Sequence, residues 1–271
     1  MKTVLITGAS GGLGKRLAKY FAKNNWYVIA TMIYLEEGAD LLDVEHIKCY
    51  ELDITSTQSI ENAKTLILAE YKTIDVVINN AGIGYRSFVE LADDDKISSI
   101  VDVNWLGVVK ICRAFVPIFR QQNDGHFINI TSLAGLVNLP LGSFYSSTKT
   151  AVESFSECMA YELIPFDIRV STIQFGNVPT DFQKNVTKNN STEIDSYNAL
   201  MNTISKTANN KSVKNNNLLL SIIKKIFDIA EHPSKDFKRY TIGFDANFMK
   251  HLRCVLGYKL FSKLIRKLVR Y

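Results

Sequence analysis

The chain has 271 residues, of which 46% are hydrophobic and 22% are charged. These values are ordinary for a globular protein and exclude a disordered or fibrous chain, and a single α/β domain reaches this length. The net charge of +5 is too small to indicate a nucleic-acid partner. The four cysteines form no CxxC pair, so we expect no metal site, no redox motif and a cytoplasmic protein.

The N-terminus has only a short apolar stretch before a glycine-rich turn, so we interpret it as the first strand and not as a signal peptide. No uninterrupted apolar run approaches the ~18 residues of a transmembrane helix. We therefore expect a protein that does not span a membrane.

Short apolar runs alternate with longer amphipathic ones from the start of the chain. A strand at Thr3 to Thr7, a helix within residues 11–25 and a strand at Tyr27 to Thr31 form a βαβ unit. Continuous apolar strands separated by helices predict a doubly wound Rossmann-type parallel sheet with helices on both faces. Further strands are predicted near Ile47 to Leu52, Ile74 to Ile78, His126 to Ile130 and Ile168 to Gln174.

Residues 183–217 form a long segment rich in Asn, Thr, Ser and Lys. A segment of this length in a compact domain is a functional lid or a partly disordered stretch, and composition does not choose between the two. A helix near Leu218 to Ala230 and a strand near Arg239 to Gly243 then return to the core. We find no second domain and no repeat, so we predict a single Rossmann-type domain over residues 1–271.

The last segment, residues 250–271, carries seven basic residues and no acidic one. Leu256, Leu260, Leu264 and Leu268 recur at helical spacing and predict a basic amphipathic helix. Such a helix contacts an anionic membrane surface, covers a substrate pocket or packs on another subunit. The sequence leaves these three alternatives open.

The first strand runs into a glycine-rich turn, TGASGGLG, and then directly into a helix. Glycines let backbone N–H groups approach a pyrophosphate, which also faces the helix N-terminus. The spacing is Gly-x-x-x-Gly-x-Gly and differs from the general dinucleotide fingerprint. A purely structural turn is the alternative to a cofactor-binding one. The predicted cofactor contacts in this turn are Gly8, Ser10, Gly12, Leu13 and Gly14.

The TGxxxGxG spacing resembles the compact, single-domain branch of the short-chain dehydrogenase/reductase family. Further landmarks of that family follow in order, namely Asp53 in LDIT, Asn79-Asn80-Ala81-Gly82, Asn104 in VDVNWLG, Ser132 in INITSLAG, and Tyr145-x-x-x-Lys149. The resemblance covers Thr3 to about Thr180, and the RYTIGFDA segment resembles hydroxysteroid and retinol dehydrogenase-like members. It implies an oxidoreductase that transfers a hydride between a nicotinamide coenzyme and the carbonyl or alcohol carbon of a substrate.

Hydride transfer to a carbonyl leaves an alkoxide that needs a positioned acid. A lysine four residues after a tyrosine lies on the same face of a helix. At ~4 Å and an effective dielectric of ~20, the attraction between the two charges is about 4 kcal/mol, or up to ~3 pKa units. We therefore expect Lys149 to bring the pKa of Tyr145 toward neutral.

The resemblance assigns roles to these residues. It implies that Tyr145 donates and accepts the proton, that Lys149 also binds the nicotinamide ribose, and that Ser132 holds the substrate oxygen. It implies that Asn104 interrupts its helix to hold a water that connects Lys149 to solvent. For the remainder of the coenzyme it implies Asp53 near the adenine with Ile54 beside it, Asn80, Ala81 and Gly82 near the ribose, and Val178 and Thr180 at the nicotinamide carboxamide.

Coenzyme choice depends on the end of the second strand, where an acid accepts the ribose hydroxyls of NAD and a base receives the extra phosphate of NADP. Ile33 occupies the place where NADP-using relatives have Arg, and no Asp ends the strand. The missing acid favours NADP, with Thr31 as a phosphate contact, and NAD stays the alternative. Phe175 stands where the family has Pro, which reshapes the turn after the sixth strand.

The resemblance also implies that residues 183–217 are a variable substrate loop. It implies a small apolar alcohol or ketone as substrate and a homodimer or homotetramer as the assembly. Two other functions stay open on the sequence. One is a cofactor-binding regulatory protein without turnover, and the other is a membrane-surface protein in which residues 250–271 are the functional element.

Overall fold

A computed structural model describes residues 1–176, 182, 186–188, 192–209 and 216–268. The strands are β1 (Thr3–Thr7), β2 (Tyr27–Met32), β3 (Ile47–Glu51), β4 (Val76–Asn79), β5 (Tyr85–Arg86), β6 (Gly125–Ile130), β7 (Ile168–Phe175), β8 (Thr187–Lys188) and β9 (Lys238–Ile242). The helices are α1 (Gly12–Lys23), α2 (Thr57–Glu70), α3 (Asp94–Val101), α4 (Gly107–Gln122), α5 (Ser143–Glu162), α6 (Asp195–Asn209), α7 (Asn216–Glu231) and α8 (Phe244–Leu268).

Seven strands form one parallel sheet in the order β3-β2-β1-β4-β6-β7-β9. The chain order reverses between β1 and β4, and a crevice opens at such a switch point beyond the carboxyl ends of the strands. The short strands β5 and β8 pair separately beside this crevice. The prediction of a doubly wound Rossmann-type sheet is confirmed, and its strands lie within two residues of their predicted bounds.

The core lies on both faces of the sheet, because successive side chains of a strand point to opposite sides. In β1, Val4 and Ile6 pack with Phe21 of α1 and with residues of α7. Leu5 packs on the other face with residues of α2, α4 and α5, including Phe115. These strands are continuous apolar runs because helices cover them on both sides.

The C-terminal segment forms α8, but Gly257 breaks the helix with φ of +59°. Phe261 is buried, whereas Phe244 is 88% and Tyr258 is 82% exposed. The chain therefore does not form one uninterrupted amphipathic helix up to residue 268. None of the helices in the described ranges is both long and apolar enough to cross a bilayer. Membrane contact of residues 250–268 stays a prediction.

Buried amide groups link β4, β6 and α5 directly beneath the crevice. Asn79 and Asn129 are register partners, and the Asn79 Nδ2 atom donates to the Asn129 Oδ1 atom at 2.8 Å. The Asn129 Nδ2 atom in turn donates to the Ser156 Oγ atom at 2.8 Å. A buried polar group is stable only while it keeps such partners. This chain of amides therefore fixes α5, which carries Tyr145, against the sheet.

We predict that Asn129→Ala lowers the free energy of unfolding by roughly 2–4 kcal/mol, because Asn79 and Ser156 each lose a buried hydrogen bond. Urea denaturation measures the change. Asn62→Ala is the matched control, because Asn62 is exposed on α2 and only accepts from Gln58. Equal stability of the two variants would show that the amide chain does not hold α5.

Candidate active site

A cavity of about 1050 Å³ opens above the carboxyl ends of the central strands. Residues after β3 and β2 form one end of it, the turn after β1 lies in the middle, and residues after β6 with α5 form the other end. The structure therefore brings most of the predicted site residues into one crevice. Those that line it are Gly8, Ser10, Gly12, Leu13, Asp53, Ile54, Asn80, Ala81, Gly82, Ser132, Tyr145 and Lys149.

The turn after β1 leaves the first backbone N–H groups of α1 next to the cavity. Gly11 is the N-cap of α1, and no side chain caps the helix there. Gly8 has φ of +64°, and a Cβ atom on it would lie 2.8 Å from the Ala81 Cα atom. An uncapped helix N-terminus beside a glycine-rich turn fits a pyrophosphate. The cradle is therefore suited to the phosphates of a dinucleotide.

Gly14 packs against this turn and does not line the cavity. A Cβ atom on Gly14 would lie 2.3 Å from the Gly8 carbonyl oxygen and 2.6 Å from the Asn80 Nδ2 atom. The same Asn80 amide donates to the carbonyls of Thr7 and Gly8. Gly14 and Asn80 therefore hold the turn in this shape.

Tyr145 and Lys149 lie one turn apart on α5, and Ser132 follows β6. The Lys149 Nζ atom is 5.9 Å from the centre of the Tyr145 ring and donates to the Ile130 carbonyl oxygen at 3.0 Å. The Ser132 side chain hydrogen-bonds the Tyr145 hydroxyl group. Three of the four predicted catalytic side chains thus meet at one point of the cavity wall, and the fourth, Asn104, does not line the cavity.

The expectation that Lys149 brings the pKa of Tyr145 toward neutral is wrong for this structure. Burial raises the pKa of the Tyr145 phenol, and the hydrogen bond with Ser132 and the charge of Arg86 only partly oppose the rise. Burial also lowers the pKa of Lys149 to about 8, although the charge of Glu153 opposes this. The sequence argument counted the attraction between two charges and omitted their loss of water.

Glu153 is a buried carboxylate that sequence reasoning missed. It lies one turn after Lys149 on α5 and accepts hydrogen bonds from Thr131, from Thr172 at 2.8 Å and from Gln174 at 2.9 Å. The Arg239 Nε atom on β9 completes the set at 3.0 Å. The spacing Tyr145, Lys149, Glu153 was the available signal, since residues four apart share a helix face.

Asn104 is fully buried in a π-helical turn, Asp102–Leu106, that separates α3 from α4. Its side chain exchanges two hydrogen bonds of 2.8 Å with the backbone of Ile83. A Cβ atom on Gly82 would lie 3.2 Å from the Asn104 Oδ1 atom and 3.6 Å from the Lys149 Nζ atom. The helix is interrupted where the resemblance implied, and the water it is expected to hold stays a prediction.

Asp53 and Thr31, two of the predicted coenzyme contacts, have hydrogen-bond partners within the protein. The Asp53 Oδ1 atom accepts from both the backbone N–H and the hydroxyl of Thr55 at 2.8 Å, so this carboxylate also holds its own turn. Thr31 is fully buried, and its hydroxyl donates to the Ile6 carbonyl oxygen. This placement corrects the prediction that Thr31 contacts a phosphate, because Met32 and Ile33 line the cavity instead. Val178 and Thr180 lie outside the described residues.

Much of the remaining wall is apolar and was not predicted residue by residue. It includes Tyr85, Leu139, Phe182, Val186, Leu219 and Ile222. The ring centres of Phe182 and Tyr145 are 5.9 Å apart. Within the described part of the chain, no cluster of side chains could hold a metal ion.

We predict that Gly14→Ala destabilises the fold by roughly 1–3 kcal/mol and weakens dinucleotide binding, because its Cβ atom would overlap backbone of the turn. Thermal unfolding and coenzyme titration measure the two effects. Gly11→Ala is the control for stability, since a Cβ atom there meets nothing within 4 Å. A Gly14→Ala variant as stable as Gly11→Ala would contradict the tight packing.

We also predict that Lys149→Met is more stable than the natural chain at pH 7. The pKa of Lys149 is lowered from 10.5 to about 8, so the destabilisation is absent above pH 10.5, grows as the pH falls, and is complete below pH 8. It is on the order of 3 kcal/mol. Urea denaturation between pH 7 and 10 measures it, with the exposed Lys72→Met as control. A stability difference that does not shrink as the pH rises would contradict this burial.

The chain is similar to known proteins over most of the residues that form this site. The family model described as short chain dehydrogenase matches residues 2–191. The chain is 36% identical over 182 residues to 3-ketodihydrosphingosine reductase of Bacteroides thetaiotaomicron, a match that covers 67% of this chain and 66% of the relative. It is 31% identical over 191 residues to human retinol dehydrogenase 8, covering 67% and 60%. The chain thus spans two thirds or less of the length of these relatives.

Solved structures agree with the fold. A short-chain dehydrogenase from Streptomyces avermitilis superposes with a TM-score of 0.82 at 25% identity, covering 98% of each chain. ElxO with NADP bound gives a TM-score of 0.74 at 26% identity, covering 89% and 96%. The 3-ketoacyl-(acyl-carrier-protein) reductase of Brucella melitensis complexed with NADH gives 0.65 at 28% identity, covering 68% and 79%.

The glycine turn, the Ser132, Tyr145 and Lys149 cluster and a family model that spans most of the chain lead to one conclusion. This chain belongs to the short-chain dehydrogenase family.

Proposed function

We propose that the protein is an NAD(P)(H)-dependent oxidoreductase that transfers a hydride between nicotinamide and the carbonyl or alcohol carbon of an apolar substrate. The observation that carries this proposal is the single cavity that joins the glycine turn to Ser132, Tyr145 and Lys149. Its geometry fits a dinucleotide, as the cradle at Gly8 indicates. A nicotinamide coenzyme in this crevice would supply or accept the hydride.

The residues of the chain supply the proton and hold the reacting oxygen. Ser132 hydrogen-bonds the substrate oxygen, and the Tyr145 hydroxyl donates its proton to that oxygen as negative charge develops on it. Lys149 keeps a positive charge near the Tyr145 ring, and the Arg86 charge adds to it. Together these cations favour the phenolate that remains after the proton has left.

The apolar wall supports an apolar substrate. Tyr85, Phe182, Val186, Leu219 and Ile222 all line the cavity. The centre of the Phe182 ring is 5.9 Å from that of the Tyr145 ring, so part of this apolar wall lies where a substrate must be to reach Tyr145. The names of the relatives, a 3-ketodihydrosphingosine reductase and a retinol dehydrogenase, support the same class. We therefore propose a ketone, aldehyde or alcohol carried on a large hydrocarbon group.

We predict that Tyr145→Phe lowers the turnover number at least about 100-fold while coenzyme binding persists, because only the proton donor is removed. The assay follows NADH and NADPH oxidation with 3-ketodihydrosphingosine, retinal and a panel of apolar ketones. Tyr161→Phe is the matched control, since Tyr161 is on the same helix, is exposed, and its hydroxyl donates to the Glu157 carboxylate.

Two results would contradict the proposal. Turnover of Tyr145→Phe close to that of Tyr161→Phe would exclude Tyr145 as the proton donor. Binding of a coenzyme with no oxidation against the whole panel would favour a regulatory protein that binds a dinucleotide without turnover.

A further inference from the structure

The crevice differs in charge from one end to the other. At the end above β2 and β3, the wall carries two carboxylates, Glu37 and Asp53. The basic residues among the described ones that line the cavity are Arg86, Lys149 and Lys188, which belong to the end that holds Tyr145. The end at which the sheet order places the adenosine is therefore acidic.

Glu37 belongs to a short 3-10 turn, Leu35–Leu41, that follows β2. Gly38 brings this turn close to the strand, since a Cβ atom on Gly38 would lie 2.3 Å from the Met32 Sδ atom. The turn therefore folds back over the end of β2. Glu37 reaches the cavity wall from there beside Met32 and Ile33, whereas the neighbouring Glu36 does not line the cavity.

Two lysines of α1 lie close to this turn but are held by another carboxylate. The Lys15 and Lys19 Nζ atoms lie 2.8 Å and 2.7 Å from the two oxygens of Asp40. Hydrogen bonds with Lys15 and then Lys19 lower the pKa of Asp40 to about 2. Neither lysine lines the cavity. Lys15 and Lys19 therefore join α1 to the turn. Among the described residues that line this end of the cavity, no cation compensates the carboxylates of Glu37 and Asp53.

The two coenzymes differ at one point. NAD carries a hydroxyl on the adenosine ribose that a carboxylate accepts, and NADP carries a phosphate there. A phosphate monoester has a charge of about −1.5 to −2 at pH 7 and is repelled by a nearby carboxylate. A carboxylate in this position therefore both binds one coenzyme and rejects the other.

We propose that the chain selects NAD(H) over NADP(H), and that the Glu37 carboxylate makes the selection. This reverses the preference inferred from the missing acid at the end of β2, because the acid comes from the turn that follows the strand. The inference rests on the proposed function, since it concerns the coenzyme of that same site.

Isothermal titration of the whole protein with NADH and with NADPH tests the proposal without any substrate. We expect the natural chain to bind NADH about tenfold tighter or more, the ratio that about 1.4 kcal/mol of repulsion produces. Glu37→Gln should bring the two dissociation constants within about threefold of each other, which leaves roughly 0.6 kcal/mol between the two coenzymes. Glu37→Lys should favour NADPH. Glu36→Gln is the matched control and should keep the natural ratio.

The outcomes separate the two proposals. If the natural chain binds NADPH as tightly as NADH or tighter, the selection is overturned while the proposed oxidoreductase function stands. If the preference for NADH survives in Glu37→Gln, Glu37 does not make the selection and the proposal fails. If neither coenzyme binds, the proposed function fails and this inference fails with it.

Discussion

The Lys149 ammonium group is held away from water between α5 and the end of β6, where a cation is stable only with oxygen atoms around it. The Ile130 carbonyl supplies one of them, and Glu153 supplies a compensating charge one turn away. Glu153 in turn depends on partners from three strands, the end of β6, β7 and β9. Because these strands are neighbours in the sheet, the arrangement around Lys149 requires this strand order.

The same constraint explains why α5 has a fixed place. Arg239 reaches from β9 to Glu153 and also to Glu157, one turn further along α5, at 2.5 Å. Asn129 holds Ser156 on the inner side of the helix. Polar contacts from Lys149 to Glu157 therefore hold α5 along about two turns, and an error in its rotation would withdraw Tyr145 from the cavity. Catalytic geometry in this fold is thus a consequence of how the helix is bonded to the sheet.

The sequence predicted the strands because each is a continuous apolar run that helices cover on both faces, and it predicted the cavity residues because they follow strand ends. It could not predict the partners of Glu153, since Thr172 and Arg239 are 19 and 86 residues away along the chain. The predicted direction of the pKa shift of Tyr145 was wrong for a related reason. The spacing of Tyr145 and Lys149 in the sequence reveals that the two groups are close, whereas the loss of water around Tyr145 depends on how the folded chain packs around it.

The coenzyme end shows the same limit in a different form. No acidic residue ends β2, so the sequence pointed to Thr31 as the contact of the NADP phosphate. In the structure Thr31 bonds the neighbouring strand, and Gly38 lets the following turn fold back onto Met32, which brings Glu37 to the wall. The proposed determinant is therefore a side chain whose position depends on the close approach of this turn to Met32. Such an approach is a property of packing, and no pattern of residue types at the strand end would reveal it.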